Sequence, residues 1–269
     1  MPIYWFALTQ LTAINYKNAI IVFLILHLLV YPSSNGYNSY MDRDTGPIGG
    51  LKNPKEPTKQ LFRITVCMDM LSLFFSLFID PLFTMGIILY IIASRAYSYR
   101  GIRIKKYPIA GYLLVIICQG SLIFFLVYHA CNTHLDKHVP ILPIIASALL
   151  IGGAYPLTQI YQHEADKKDG VTTISMLLGY KGTFIFTGIV YALAFIMLLF
   201  TFISNIEIIP FFFLQIFMLP VFVYYLLWFK KVRKNPSEAN FKNTMRMNLL
   251  ASCCTNLGFL SVLIFNYFE

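Results

Sequence analysis

The sequence predicts an all-α fold in which one domain, residues 1–269, crosses a lipid bilayer through about nine helices. Apolar residues make up 58% of the 269-residue chain and charged residues only 12%, which is about half the charged share of a typical soluble domain. A compact soluble fold of this size cannot bury so many apolar side chains, and 24 Phe and 18 Tyr exclude a disordered chain. A polytopic membrane protein remains, because lipid accepts apolar side chains that water does not.

Long apolar runs mark the spanning helices, since about 20 mainly apolar residues are needed to cross the hydrocarbon core. Asp80 and Pro81 divide one long apolar stretch into two helices, because proline ends a helix and aspartate favours water. A shorter run at the N-terminus predicts a first span that is short or truncated. The predicted spans are 2–14, 18–34, 62–79, 81–94, 109–130, 139–161, 182–204, 207–229 and 247–268.

Nine spans would place nearly all cations on one side of the membrane. Nineteen of the 21 Lys and Arg residues fall in or beside the loops that follow spans two, four, six and eight, and only Lys17 and Lys137 fall on the other side. Cytoplasmic loops are enriched in Lys and Arg. The sequence therefore predicts that these four loops are cytoplasmic and that the C-terminus lies outside. If the protein is bacterial, the membrane is expected to be the cytoplasmic membrane.

Five of the twelve acidic residues form two clusters at helix ends on this same side. The clusters are Asp42 and Asp44 after span two, and Glu164, Asp166 and Asp169 after span six. Asn38 and Gln162 each precede an aspartate by four residues, so amide and carboxylate share one helix face. Such oxygen ligands suit Mg²⁺, and the Lys and Arg around them fit a diphosphate held through bridging Mg²⁺. Either cluster alone could also be an ordinary solvated helix end.

At these residues the sequence resembles the UbiA superfamily of intramembrane prenyltransferases. That family has an N-D-x-x-D-x-x-x-D type motif after its second helix and a D-x-x-x-D motif after its sixth. Residues 38–44 (Asn-Ser-Tyr-Met-Asp-Arg-Asp) are similar to the first motif, and residues 164–173, with their trailing Gly and Thr, are similar to the second. Residues 97–106 resemble the family's Tyr-Ser and basic segment after helix four. The similarity covers nearly the whole chain.

The resemblance implies a nine-helix bundle around a central cavity that opens sideways to lipid for a long isoprenoid tail. It also implies Mg²⁺-dependent transfer of a prenyl group from a prenyl diphosphate to a lipophilic acceptor, through ionisation toward an allylic cation that an acceptor carbon captures. The implied catalytic residues are Asp42 and Asp166. The implied metal ligands are Asn38, Asp42, Asp44, Glu164, Asp166 and Asp169. The implied diphosphate-binding residues are Arg103, Lys105, Tyr97, Lys168 and Gln162.

Three positions depart from the family's pattern. Ser39, Gly46 and Gln162 stand where the family has aspartate, and Asp44 and Glu164, each two residues from an expected ligand, could substitute. The departures leave two hypotheses open: an active subgroup with a rearranged site, or a non-catalytic relative with weakened metal binding.

Proteins of other classes remain as alternatives. A membrane transporter could place acids along an ion path, but here only Asp69 lies near mid-helix depth. A CDP-alcohol phosphatidyltransferase is disfavoured, because Asp169-Gly170 does not continue into the D-G-x-x-A-R signature of those enzymes. The sequence contains no P-loop, Rossmann or nucleic-acid motif, so nucleic acid is not an expected partner.

Overall fold

The computed structural model describes residues 2–43, 46–205 and 208–268, which form ten helices and, within these ranges, no β-strand. Two of the helices contain a π-helical segment, at Ile25–Val30 and at Ile116–Leu122. The helices are α1 (Pro2–Thr9), α2 (Tyr16–Asp42), α3 (Lys59–Ser76), α4 (Pro81–Ser98), α5 (Pro108–Cys131), α6 (Ile141–Gln159), α7 (His163–Lys168), α8 (Ile174–Ser204), α9 (Ile208–Lys234) and α10 (Phe241–Phe268). The predicted all-α polytopic bundle is confirmed.

Seven of the described helices are long and apolar enough to cross a membrane, so the predicted count of nine was approximate. The seven are α2, α4, α5, α6, α8, α9 and α10. The eight residues of α1 extend only about 12 Å at the usual helical rise, which is far less than the hydrocarbon thickness of about 30 Å. Phe6 and Ala7 of α1 are fully buried, so this helix packs inside the bundle. Helix α3 is not one of the seven, because it carries three charged residues, Lys59, Arg63 and Asp69.

The chain alternates between two ends of the bundle. At one, here called the charged end, Arg100 donates a hydrogen bond of 2.7 Å to the carbonyl of Met41 at the end of α2. At the other, here called the opposite end, Ile14 pairs with Asn132 beyond α5. The nineteen cations that the sequence groups together belong to loops and helix ends at the charged end, whereas the orientation of that end toward the cytoplasm stays a prediction.

Helices α5 and α6 approach each other closely at Gly120. A Cβ atom there would lie 2.6 Å from the Cα of Ala148 and 2.7 Å from the carbonyl oxygen of Ser147. Both neighbours are backbone atoms, which cannot rotate away as a side chain can. Small residues at such crossings let membrane helices approach each other, and Gly120 therefore fixes the separation of two cavity-forming helices.

We expect Gly120→Ala to destabilise the protein by about 1–3 kcal/mol, the usual cost of overpacking, because α5 and α6 must move apart. Thermal unfolding in detergent would measure the change. Gly182→Ala is a matched control, since its Cβ would meet only the Cβ of Leu178 at 3.3 Å. If Gly120→Ala and the control unfolded at the same temperature as the wild type, the close crossing would be wrong.

Asp80 links α4 to α5 at the opposite end. Its Oδ2 accepts hydrogen bonds from the backbone N–H groups of Leu82 (2.6 Å) and Phe83 (3.3 Å), so it caps α4 where the sequence predicts a turn. The same oxygen lies 3.0 Å from Nε2 of the buried His129. Burial acts to raise the pKa of Asp80, but the hydrogen bonds from His129 and the two backbone groups outweigh it, so the pKa is lowered overall from 3.8.

A lowered pKa in the folded state means that ionised Asp80 stabilises the fold above its ordinary pKa of 3.8 and that this stabilisation is lost as the pH falls through the folded-state value. We expect Asp80→Asn to lower the unfolding temperature at pH 7 and to have a progressively smaller effect on the acid side of 3.8. Asp136→Asn, on the same end, is the control for general loss of a carboxylate. A difference between wild type and Asp80→Asn that stays constant from neutral to acid pH would contradict the assignment.

Candidate active site

A cavity of about 1000 Å³ lies between α2, α4, α5, α6 and α10 and opens at the charged end. The central cavity implied by the family resemblance is therefore present. Most of the site residues expected from the sequence line it, although they come from three separate segments spread over residues 38–169. Those residues are Asn38, Asp42, Tyr97, Lys105, Gln162, Asp166, Lys168 and Asp169.

The first acidic motif is positioned by α2. This helix continues to Asp42, so Asn38 and Asp42 lie one turn apart on the cavity face, as their spacing predicts. Ser98 of α4 donates a 2.7 Å hydrogen bond to Oδ1 of Asn38 and so orients its amide. The helix ends where Arg43 adopts a left-handed conformation with φ 57°. Asp44 lies outside the described residues.

The second acidic motif lies on the short helix α7. Gln162 precedes this helix, and the backbone N–H of Asp166 donates to the carbonyl of Gln162 at 2.9 Å. The four-residue spacing therefore forms a helical turn, but in a separate helix and not in a continuation of the predicted span 139–161. Asp169 lines the cavity with Asp166, whereas Glu164 is exposed and lies outside the lining.

Residues 99–107 carry cations between the two acidic motifs. The guanidinium of Arg103 forms ion pairs with both Asp42, at 3.6 Å, and Asp169. Lys105 pairs with Asp42, and Nη2 of Arg100 lies 3.3 Å from Oδ1 of Asp169. Arg103 and Lys105 are both buried. The basic segment therefore neutralises one carboxylate from each motif and ties the end of α2 to the end of α7.

Two local features hold this basic segment in place. Arg103 has a left-handed backbone with φ 51°, a conformation that costs a non-glycine residue about 1–2 kcal/mol and that the ion pairs offset. Gly111 in the first turns of α5 approaches Lys105 so closely that a Cβ would lie 3.1 Å from the Lys105 Cα. The absence of a side chain at Gly111 therefore lets the Lys105 turn pack against α5.

Several residues of the site were missed in the sequence. The hydroxyl groups of Tyr97 and Tyr155 are hydrogen-bonded across the cavity between α4 and α6. Tyr155 and Gln159 lie one turn apart on α6, and both line the cavity. A polar stripe along an otherwise apolar helix was the signal that could have identified them. The contact of Arg100 with Asp169 had no comparable signal, because it depends on how the loops fold.

The oxygen donors of the cavity fit Mg²⁺ that is bound together with phosphate groups. Within the described ranges, no three His, Cys, Asp or Glu side chains are close enough to hold a metal ion by themselves. Mg²⁺ usually takes one or two carboxylates and completes its shell with water and substrate phosphates. Oδ1 of Asp42 is buried without a hydrogen bond of normal geometry, although Lys105 and Arg103 approach it. The donor set therefore fits a metal shared with a phosphate ligand.

Fold and cavity together define a multi-pass helical membrane protein with a charged mouth and a partly apolar interior. The chain belongs to the UbiA prenyltransferase family, whose family model matches residues 1–250. No functionally curated protein matches the chain.

Solved structures show the same fold over nearly the whole chain. The apo structure of a UbiA homologue from Aeropyrum pernix K1 is 14% identical, with a TM-score of 0.69 over 97% of this chain and 95% of that one. A UbiA homologue from Archaeoglobus fulgidus, bound to DMAPP and Mg²⁺, is 18% identical, with a TM-score of 0.66 over 97% and 93%. A structure described for digeranylgeranylglyceryl phosphate synthase in membranes is 18% identical, with a TM-score of 0.62 over 98% and 91%.

Proposed function

We propose that the protein transfers a prenyl group from a prenyl diphosphate to a lipophilic acceptor within the membrane, and that the transfer depends on Mg²⁺. One observation carries the proposal: acidic and basic side chains of three motifs meet at the mouth of a single cavity that continues between apolar walls. The apolar lining comprises Leu114, Val115, Ile151 and Ala154. A charged mouth joined to an apolar interior suits a donor with a diphosphate head and an isoprenoid tail.

The chain's own residues divide into two groups around the diphosphate. Lys105, Arg103 and Lys168 would donate charge-assisted hydrogen bonds to its oxygens and stabilise it as it leaves. Asn38, Asp42, Asp166 and Asp169 would hold Mg²⁺, which when bound neutralises phosphate charge. Phosphate oxygens would then replace Asp42 and Asp169 as partners of Arg103 and Lys105, which would leave these carboxylates free to bind Mg²⁺.

The reaction exchanges one bond for another. The C1–O bond of the prenyl diphosphate breaks and its electron pair leaves with the diphosphate, while a nucleophilic carbon of the acceptor bonds to C1. The acceptor then loses a proton to water or to the released diphosphate. The rings of Tyr97 and Tyr155 line the cavity and would face the donor as it ionises, since aromatic faces can stabilise a developing cation.

The orientation of the site is part of the proposal. The charged end carries nineteen of the 21 Lys and Arg residues, which supports a cytoplasmic location for the cavity mouth. The comparison with a relative bound to DMAPP and Mg²⁺ supports the donor class.

A transfer assay tests the proposal. Purified protein would be incubated with labelled geranyl or geranylgeranyl diphosphate and a membrane lipid extract as the pool of acceptors. We expect label in a lipid-soluble product when Mg²⁺ is present and none in EDTA. A non-catalytic relative would bind the donor without releasing diphosphate, and a transporter would move a solute without forming a product. Either of these results would overturn the proposal.

A further inference from the structure

The second acidic motif lies on a segment that connects two membrane-spanning helices. Residues 163–175 run from the start of α7 to the first turn of α8 and bring Asp166, Lys168 and Asp169 to the cavity. The backbone N–H of Val171 donates a 2.9 Å hydrogen bond to the carbonyl of Asp166, so the motif and the turn after it form one unit. Because connecting segments are more mobile than the helices they join, this unit needs an anchor if its carboxylates are to keep a fixed position.

His163 supplies a contact between the two ends of this segment. Its Nε2 lies 2.8 Å from the hydroxyl oxygen of Ser175, which is fully buried. Its ring stacks on the ring of Tyr180, with centroids 4.8 Å apart and planes 5° from parallel. These three residues, here called the clasp, join the first residue of α7 to the beginning of α8.

The start of α8 is shaped so that Ser175 is itself held firmly. The helix breaks at Gly179, where φ is 66° and ψ is 174°, a conformation that glycine adopts most readily. Residues 175 and 183 would be about 12 Å apart along a continuous helix, yet the hydroxyl oxygens of Ser175 and Thr183 are 3.1 Å apart. The fully buried Thr183 hydroxyl also lies within hydrogen-bond distance of the carbonyl oxygens of Gly179 (2.8 Å) and Ser175 (3.2 Å). The break therefore fixes the partner that His163 contacts.

We infer that His163 is a positioning residue, which fixes α7 against α8 through the clasp and so holds the second acidic motif where its carboxylates bind Mg²⁺. The inference rests on the proposed function. His163 precedes Asp166 by one helical turn but lies outside the cavity lining, so it acts through the placement of Asp166 and not by contact with the donor. Removal of a group that orients metal ligands typically lowers metal affinity by about 10- to 100-fold.

Hydrogen exchange of the full-length protein without metal or donor tests the clasp directly. We expect His163→Ala and Ser175→Ala each to speed amide exchange within residues 164–173 by about tenfold, the effect of losing one hydrogen bond to a buried group. Lys167→Ala is the matched control on the same helix, since Lys167 is exposed and does not line the cavity. Unchanged exchange in both clasp variants, or equal acceleration in α4, would overturn the inference.

Mg²⁺ titration connects the clasp to the acidic motif. Equilibrium binding of labelled geranyl diphosphate, without acceptor, would be followed as the Mg²⁺ concentration is raised. We expect His163→Ala and Ser175→Ala to need about tenfold more Mg²⁺ for half-maximal binding and to reach the wild-type donor affinity once Mg²⁺ saturates. Lys167→Ala should keep the wild-type requirement.

A conservative variant separates positioning from a general structural role. His163→Gln places an amide where Nε2 of His163 lies, so it can still contact Ser175 and should restore much of the Mg²⁺ affinity that His163→Ala loses. A wild-type Mg²⁺ requirement in His163→Ala, or a His163→Gln protein as impaired as His163→Ala, would overturn the inference. If the wild-type protein bound no donor in Mg²⁺, the proposed function would fail, whereas the exchange experiment would still decide whether the clasp holds residues 164–173.

Discussion

Replacement of Asp42 by alanine should lower prenyl transfer by about 10³-fold, the upper range for removing one electrostatic contact in an active site. Asp42 stands at the cavity mouth and is approached by both Arg103 and Lys105. Its loss would remove a proposed metal ligand and leave these two buried cations with one fewer carboxylate. Transfer of labelled geranyl group to lipid-soluble product would measure the effect.

The alanine variant alone is ambiguous, because breaking a buried ion pair can cost about 3–5 kcal/mol of stability. Asp42→Asn keeps the volume of the side chain and is the second variant, with thermal unfolding measured alongside transfer. Glu56→Ala is the control, since Glu56 is exposed on a loop at the same end and does not line the cavity. Transfer near the wild-type rate in a folded Asp42→Asn protein would show that the site is misassigned.

Replacement of Arg103 by alanine should weaken binding of the prenyl diphosphate by about 10²-fold, as expected for one buried charge-assisted contact. Arg103 contacts a carboxylate from each acidic motif, so its removal also takes away the cation that Asp42 and Asp169 share. Arg103→Lys should recover little of the affinity for the prenyl diphosphate, because a single ammonium cannot reproduce the fork of a guanidinium that reaches two partners. The affinity for the thiolo analogue of geranyl diphosphate, in which sulfur replaces the bridging oxygen and slows ionisation, would be measured in Mg²⁺ for each variant.

A glycine at the same position separates binding from backbone strain. Because Arg103 has a left-handed backbone, Arg103→Gly should be more stable than Arg103→Ala by about 1 kcal/mol, the usual relief of strain, while binding the donor equally poorly. Lys106→Ala is the control for loss of a nearby exposed cation. Normal donor binding in either Arg103 variant would contradict the proposed role of the basic segment.

The fold was predictable because lipid-facing helices leave long apolar runs. Hydropathy located α4 from residue 81 and α6 near 139–161, but it ended the second span at 34, whereas α2 continues to Asp42. The last turns of α2 face the cavity and are polar, so an apolar run does not include them in the predicted span. The first predicted span, 2–14, is instead the short buried helix α1, since burial against other helices looks the same as burial in lipid.

The candidate site was predictable only where residues sit in motifs. Asn38, Asp42 and Asp166 follow recognisable spacings, and the structure brings them to one cavity; their roles stay predictions. The two-sided contact of Arg103 depends on the left-handed backbone of its loop, which no spacing encodes. The four polar residues deeper in the cavity come from three helices, and each of them alone looks like an ordinary polar residue in an apolar run: Ser34, Tyr90, Ser94 and Gln119.

Equilibrium binding of the labelled thiolo analogue of geranyl diphosphate tests most directly whether the ends of α2 and α7 jointly hold a Mg²⁺–prenyl diphosphate complex. The measurement needs neither a known acceptor nor turnover. We expect saturable binding in Mg²⁺ that is lost in EDTA and in the Asp42→Asn and Asp166→Asn variants, and that is retained by Glu56→Ala. Binding of equal affinity in EDTA, or in a folded protein that carries both asparagine substitutions, would contradict the proposed site.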